Sequence, residues 1–121
     1  MAPEHATVYI SEDDKLFREM AVEIIEAAEH KVVVVASTVR EALDGIEKAK
    51  QEGVNVAVVD GNLTKEAYSG YDGELVSREL RKQIPGIKIV SFSGNKQTYG
   101  DSHVEKGNVM ELGKAITALP E

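Results

Sequence analysis

From one end to the other, this chain alternates short apolar runs with stretches whose apolar residues recur every three to four positions. The periodicity predicts a first strand at about Thr7–Glu12, a second at Val32–Ala36, a third at Val54–Val59, a fourth at Ile87–Phe92 and a short fifth at His103–Glu105. Runs this short and rich in β-branched residues read as strands buried on both faces. The intervening segments read as helices. The first is expected over about Lys15–Glu29, with Phe17, Met20, Ala21, Ile24 and Ala28 inward and Asp13 or Asp14 as its cap. The second is expected over Val39–Gln51, with Val39, Leu43 and Ile46 inward; Thr38 and Glu41 have capping-box spacing, and Gly53 ends it. A third is expected over Gly73–Gln83 and a last over Val109–Leu119. Strands alternating with helices imply an α/β fold with a parallel sheet, and right-handed crossovers put helices on both of its faces.

Such a sheet binds ligands outside the carboxyl ends of its strands. Acidic residues stand at two of those ends. Glu12-Asp13-Asp14 follows the first strand and Asp60 follows the third. Each has a simpler structural use, since Asp-Gly is a common turn dipeptide and acidic residues favour a helix N-terminus. Together, on neighbouring strands, they crowd Glu12, Asp13 and Asp60 at one rim. At an effective dielectric near 20 and about 5 Å, each pair of carboxylates repels by roughly 3 kcal/mol. The arrangement requires a cation, a proton or a lysine. Ser93 follows the fourth strand and Lys106 the fifth, so a hydroxyl and an ammonium fall at the same kind of position. Carboxylates, hydroxyl and ammonium together suit metal-assisted phosphoryl transfer, with Mg²⁺ taking one or two carboxylates plus water and phosphate oxygens.

Other features narrow the classes. With 121 residues, one domain spanning 1–121 is expected. The net charge of -7 argues against direct nucleic-acid binding, which rests on neutralising phosphates. No run of about 18 apolar residues is present, so no membrane insertion is expected, and the N-terminus lacks a signal-peptide pattern. The absence of cysteine excludes disulfides and thiolate chemistry, and a cytoplasmic location is expected. The chain ends soon after its last helix, with no output domain expected.

The motifs V-Y-I-S-E-D-D-K-L-F-R-E-M, V-A-V-V-D-G-N, G-Y-D-G-E-L, I-V-S-F-S-G and V-E-K, in that order, resemble the receiver domain of bacterial two-component response regulators over nearly the whole chain. The resemblance implies a flavodoxin-like, doubly wound, five-stranded parallel sheet of order 2-1-3-4-5. It implies that Asp60 is a phosphoacceptor, loaded by a histidine kinase or phosphotransfer protein. Glu12 and Asp13 match the family's Mg²⁺-binding acidic pair, and Asn62 the position whose backbone carbonyl is a further ligand. Lys106 matches the lysine that pairs with phosphoryl oxygens. Ser93 matches the switch hydroxyl, and His103 the switch ring, usually Tyr or Phe. The domain would not be an enzyme beyond self-catalysed phosphotransfer and autodephosphorylation, and its switched surface would meet an output protein that the sequence does not name.

Several departures accompany the resemblance. Only thirteen positions separate Ser93 from Lys106, so the family's fourth helix is expected to be short or absent. The Asp60–Gly73 loop is longer than usual, through Thr64–Gly70, and lacks the usual proline. Gly107 replaces a proline after the lysine. Asn62 and Asn95 occupy positions that influence dephosphorylation in the family, and as short amides imply an open site. The main alternative is a receiver-like interaction module that works without phosphorylation. An aspartate-nucleophile Mg²⁺ phosphatase is disfavoured, because Asn62 replaces the acid/base Asp of such enzymes. A flavin carrier lacks its phosphate loop.

Overall fold

The computed structural model describes residues 5–61 and 71–119. Five strands form one parallel sheet of order β2-β1-β3-β4-β5: β1 (Thr7–Ser11), β2 (Lys31–Ala36), β3 (Val56–Asp60), β4 (Lys88–Ser93) and β5 (Ser102–Glu105). This is the expected doubly wound, flavodoxin-like order.

Alternation along the strands builds two cores. Val8, Ile10, Val56, Val58, Val90 and Phe92 face one side, where they pack with Ala21 and Ile25 of α1 (Lys15–Ala27) and Leu112 and Ile116 of α5 (Leu112–Thr117). Tyr9, Ala57, Val59 and Ile89 face the other. There they meet Ala42 of α2 (Val39–Asp44), Ile46 and Ala49 of α3 (Ile46–Gln51), and Val76 and Leu80 of α4 (Tyr71–Gln83). The period of two along β1 and β3 therefore serves both cores, which is why these strands are apolar throughout. Tyr9 is fully buried, and its hydroxyl donates to the Ala42 carbonyl at 2.6 Å, so its one polar atom is satisfied.

Local chemistry sets the element ends. Asp14 caps α1, accepting from the Phe17 amide at 3.0 Å. That helix stops at Ala27, short of the expected Glu29. Glu29 takes the left-handed conformation (φ 69°), and the His30 amide reaches back to the Ile25 carbonyl, a Schellman-type close that returns the chain to β2. Thr38 accepts from the Glu41 amide, as expected. Glu41 in turn binds the Ser37 amide and hydroxyl rather than the Thr38 amide, so the box is shifted by one residue. The expected second helix divides at Gly45 into α2 and α3, and Gly53 (φ 74°) turns the chain toward β3. The expected last helix begins as a 3₁₀ segment, Lys106–Glu111, with Asn108 non-helical; α helix is confined to Leu112–Thr117. Glycine and asparagine at positions 107 and 108 are weak helix formers, which accounts for the late start.

Residues 94–101 contain no helix, so the short-or-absent helix expected between β4 and β5 is absent. The segment is instead tied at its far end to the start of β4. The Asp101 amide donates to the Ile89 carbonyl at 2.7 Å, and the Asp101 carboxylate accepts from the Ile89 amide at 2.8 Å. Gly100 sits so close that a Cβ there would lie 2.7 Å from the Ser91 nitrogen and 2.8 Å from the Ser102 oxygen. Both obstacles are backbone. Gly100→Ala is expected to destabilise the protein by about 1–3 kcal/mol, read as a lower urea midpoint at an unchanged m value.

Candidate functional site at the carboxyl ends of the strands

Strand register assembles the site. Ser11 pairs with Val59, so Glu12 leaves β1 beside Asp60 at the end of β3. Asp60 pairs with Phe92, and Ser93 with Glu105, which brings Ser93 next to Gly61 and Lys106 just past the end of β5. Residues far apart in sequence thus converge with no loop spanning between them.

The Lys106 ammonium donates to Glu12 Oε2 at 3.0 Å and to Asp60 Oδ2 at 3.1 Å. Both carboxylates are almost wholly buried, at 0% and 2% exposure. The ammonium also lies 5.3 Å from the centroid of Phe17 and 6.0 Å from that of Phe92, whose rings stack edge to face. Ring faces and carboxylates both favour the cation there. Glu12 Oε2 also accepts from the Asp14 amide at 2.9 Å, while Arg18 donates to the carbonyls of Glu12 and Asp13 and fixes the acidic turn.

Among the described residues, one ammonium meets three carboxylates. Oxygens of Glu12, Asp13 and Asp60 lie within 4.8 Å of one another. Burial, then the charge of Asp60, raises the Glu12 carboxyl to about 8, against the opposing pull of the Asp14 amide and Lys106. Burial, then the adjoining Asp13 carboxyl, raises Asp60 to about 6, with Lys106 and Glu12 opposing. Lys106 shifts upward: burial pulls it down, but the two carboxylates outweigh that. Glu12 Oε1 is buried and has no hydrogen-bond partner. A buried carboxylate oxygen without a partner, within a cluster of three carboxylates, suits a small, hard, oxygen-seeking cation.

The other expected site residues divide. Ser93 is buried, and its Oγ accepts from the Asn95 amide at 3.4 Å. His103 is one strand removed, with Nδ1 2.6 Å from Ser91 Oγ and Nε2 buried without a partner. Its burial lowers its pKa, with Glu105 opposing and Lys96 adding to the shift. Asn62 and the Thr64–Gly70 insertion lie outside the described residues.

Two residues join the site unannounced by any local pattern. Tyr99 donates its hydroxyl to the Val59 carbonyl at 2.7 Å, and its ring covers Gly73 so closely that a Cβ there would lie 2.7 Å from it. Gln97 extends over Gly61. A cleft of about 560 Å³ opens alongside, between α4 and this segment, lined by Glu74, Arg78, Arg81, Gln97, Thr98 and Tyr99. No sequence periodicity marks Gln97 or Tyr99, because their placement depends on the flat path that replaces a helix.

Solved structures share this fold. The RcsB response regulator of Salmonella typhimurium superposes with a TM-score of 0.76 at 17% identity, over 95% of this chain and 59% of that one. A Francisella response-regulator receiver domain gives 0.70 at 22% identity, over 92% of this chain and 93% of that one. The fold is that of a response-regulator receiver domain. A CheY-like receiver protein of Methanospirillum hungatei agrees, with a TM-score of 0.67 at 21% identity over 90% of each chain. No protein-family model matches the sequence, and no curated protein matches it. Within this receiver fold, no helix among the described residues is long and apolar enough to cross a membrane.

The raised carboxyls make stability depend on pH in a direction opposite to that of ordinary salt-bridged acids. At Glu12 and Asp60 the folded chain retains protons that the unfolded chain has released, so the contribution of these two groups to metal-free stability falls as pH rises from about 4 to about 8, while His30 and His103, both held below the usual imidazole range by burial, oppose that fall. Lys106, shifted upward, contributes fully throughout this window and does not alter the slope. Asp60→Asn should raise metal-free stability near pH 8 by on the order of 2–3 kcal/mol, from a shift of about two pKa units. It should also flatten the decline. Urea unfolding at pH 5 and pH 8 measures both effects.

Proposed function

We propose that the chain is a phosphoacceptor signalling domain, receiving a phosphoryl group on Asp60 from a histidine kinase or phosphotransfer protein. The observation that carries this reading is the buried Asp60 carboxylate, held by Lys106 beside Glu12 and Asp13 at the strand ends. A structural acid needs neither a second buried carboxylate nor an orphaned oxygen next to it, whereas a phosphorylated aspartate uses the whole set.

Glu12, Asp13 and Asp60 would hold Mg²⁺, with the Asn62 carbonyl as a further ligand. When bound, the ion supplies charge neutralisation for the carboxylates and for the transferring phosphoryl group. An Asp60 oxygen attacks phosphorus as the donor's P–N bond breaks, and Lys106 pairs with a phosphoryl oxygen. The Ser93 hydroxyl oxygen already accepts from Asn95, which leaves its proton for the new phosphate. Phosphorylation puts a charge near -2 where there was one carboxylate. Lys106, Ser93 and the 94–101 segment all respond to that charge, and through them a surface for an output protein changes. An inward swing of His103 would have to break its 2.6 Å contact with Ser91, so this ring starts in a held position. The chemistry is self-catalysed transfer to, and hydrolysis from, the domain's own aspartate.

A small phosphodonor such as acetyl phosphate, given with Mg²⁺, is expected to form a hydroxylamine-labile acyl phosphate on Asp60, seen by intact mass. Asp60→Asn should abolish it, and Lys106→Ala should slow it on the order of 100-fold. A wild-type chain that takes no phosphate and does not bind Mg²⁺ would instead be an interaction module independent of phosphorylation.

A further inference from the structure

We infer that Gln97 is a catalytic residue for hydrolysis of the phosphorylated Asp60, an inference that rests on Asp60 being the phosphoacceptor. The observation is a convergence on Gly61, the residue after Asp60. A Cβ built on Gly61 would lie 3.3 Å from Ser93 Oγ, 3.4 Å from Gln97 Nε2 and 3.5 Å from Gln97 Cδ. The Gln97 amide therefore stands level with the switch hydroxyl, over the glycine that borders the phosphoacceptor. It is half-buried, and no hydrogen bond to another described residue holds it.

The path of the chain explains why a side chain so far beyond Ser93 reaches the site. A helix after β4 would carry position 97 up and away from the strand ends. Here the segment runs flat, fixed at Tyr99 by the hydrogen bond to the Val59 carbonyl and at Asp101 by paired bonds to Ile89. Those two anchors hold Gln97 between Gly61 and solvent.

A carboxamide at that place has the two functions that hydrolysis requires. Its Oε1 accepts from an attacking water and its Nε2 donates to a phosphoryl oxygen, and positioning of this kind is a major source of catalysis in phosphoryl transfer. The water oxygen bonds to phosphorus, the bond from phosphorus to the Asp60 oxygen breaks, and the carboxylate is regenerated. The water's protons leave on the dihydrogen phosphate product. A glutamine acts here by orientation and needs no change of its own protonation state. Asn95, two residues after Ser93, offers its backbone amide to Ser93 Oγ and is a separate contact.

The test uses the full chain, loaded with acetyl phosphate and Mg²⁺ and then freed of donor, with loss of the acyl phosphate followed by intact mass and phosphate release. Gln97→Ala is expected to slow decay at least fivefold and loading clearly less, with the Mg²⁺ affinity and the melting temperature unchanged. Gln97→Glu, which keeps the size but loses the donor, should also be slow. Decay of Gln97→Ala at the wild-type rate or faster overturns the role of Gln97 while leaving Asp60 as the phosphoacceptor. Equal slowing of loading and decay assigns Gln97 to shaping the site and also overturns it. Absence of acyl phosphate on the wild-type chain overturns both readings together.

Discussion

An ammonium lying between two buried carboxylates is the contact on which the strand ends depend. Without Lys106, Glu12 and Asp60 would face each other across paired strands with little water to screen them. The lysine itself is kept there by two aromatic rings, one from α1 and one from β4, so both the hydrophobic core and the polar rim specify its position. Its partial compensation matters as much as its presence. Among the described residues three carboxylates share one ammonium, an excess of negative charge that a divalent cation or a shared proton would offset.

The fold was legible in the sequence because its signal is periodic. Apolar runs at Val8, Val32, Val56 and Ile89 declared the strands, and the two faces of each emerged from their alternation. Asp60, Glu12, Asp13, Lys106 and Ser93 were legible because each stands at a strand end, a position that topology alone makes special. Helix ends were less legible. The left-handed turn at Glu29 has no glycine to announce it, and the late start of the last helix follows from the weak helix formers Gly107 and Asn108. Gln97, Tyr99 and Ser91 were not legible at all. Their roles come from contacts across 12 to 40 residues, and nothing in their own neighbourhood records them.

The absence of a helix between β4 and β5 changes what stands beside the site. In its place a short chain lies flat, tied to β3 through Tyr99 and to β4 through Asp101. Tyr99 meets the β3 backbone immediately before Asp60, while its ring rests on the first turn of α4 at Gly73. Under the proposed phosphorylation, Tyr99 would link a charge change at Asp60 to α4 and the adjoining cleft. That link is a tethered loop rather than a helix.

The sequence distance between Lys106 and Glu12, 94 residues, bears on how the chain reaches its folded state. The acidic pair and Asp60 are brought together by the pairing of β1 with β3, whereas the lysine arrives with β5 at the sheet edge. Until β5 is docked, Lys106 cannot compensate the carboxylates, and their repulsion opposes the pairing that forms the sheet's centre. Protonation or a bound cation relieves it. A divalent ion or mildly acidic solution would therefore favour the central strand pairing, and docking of β5 brings in the lysine that completes the rim.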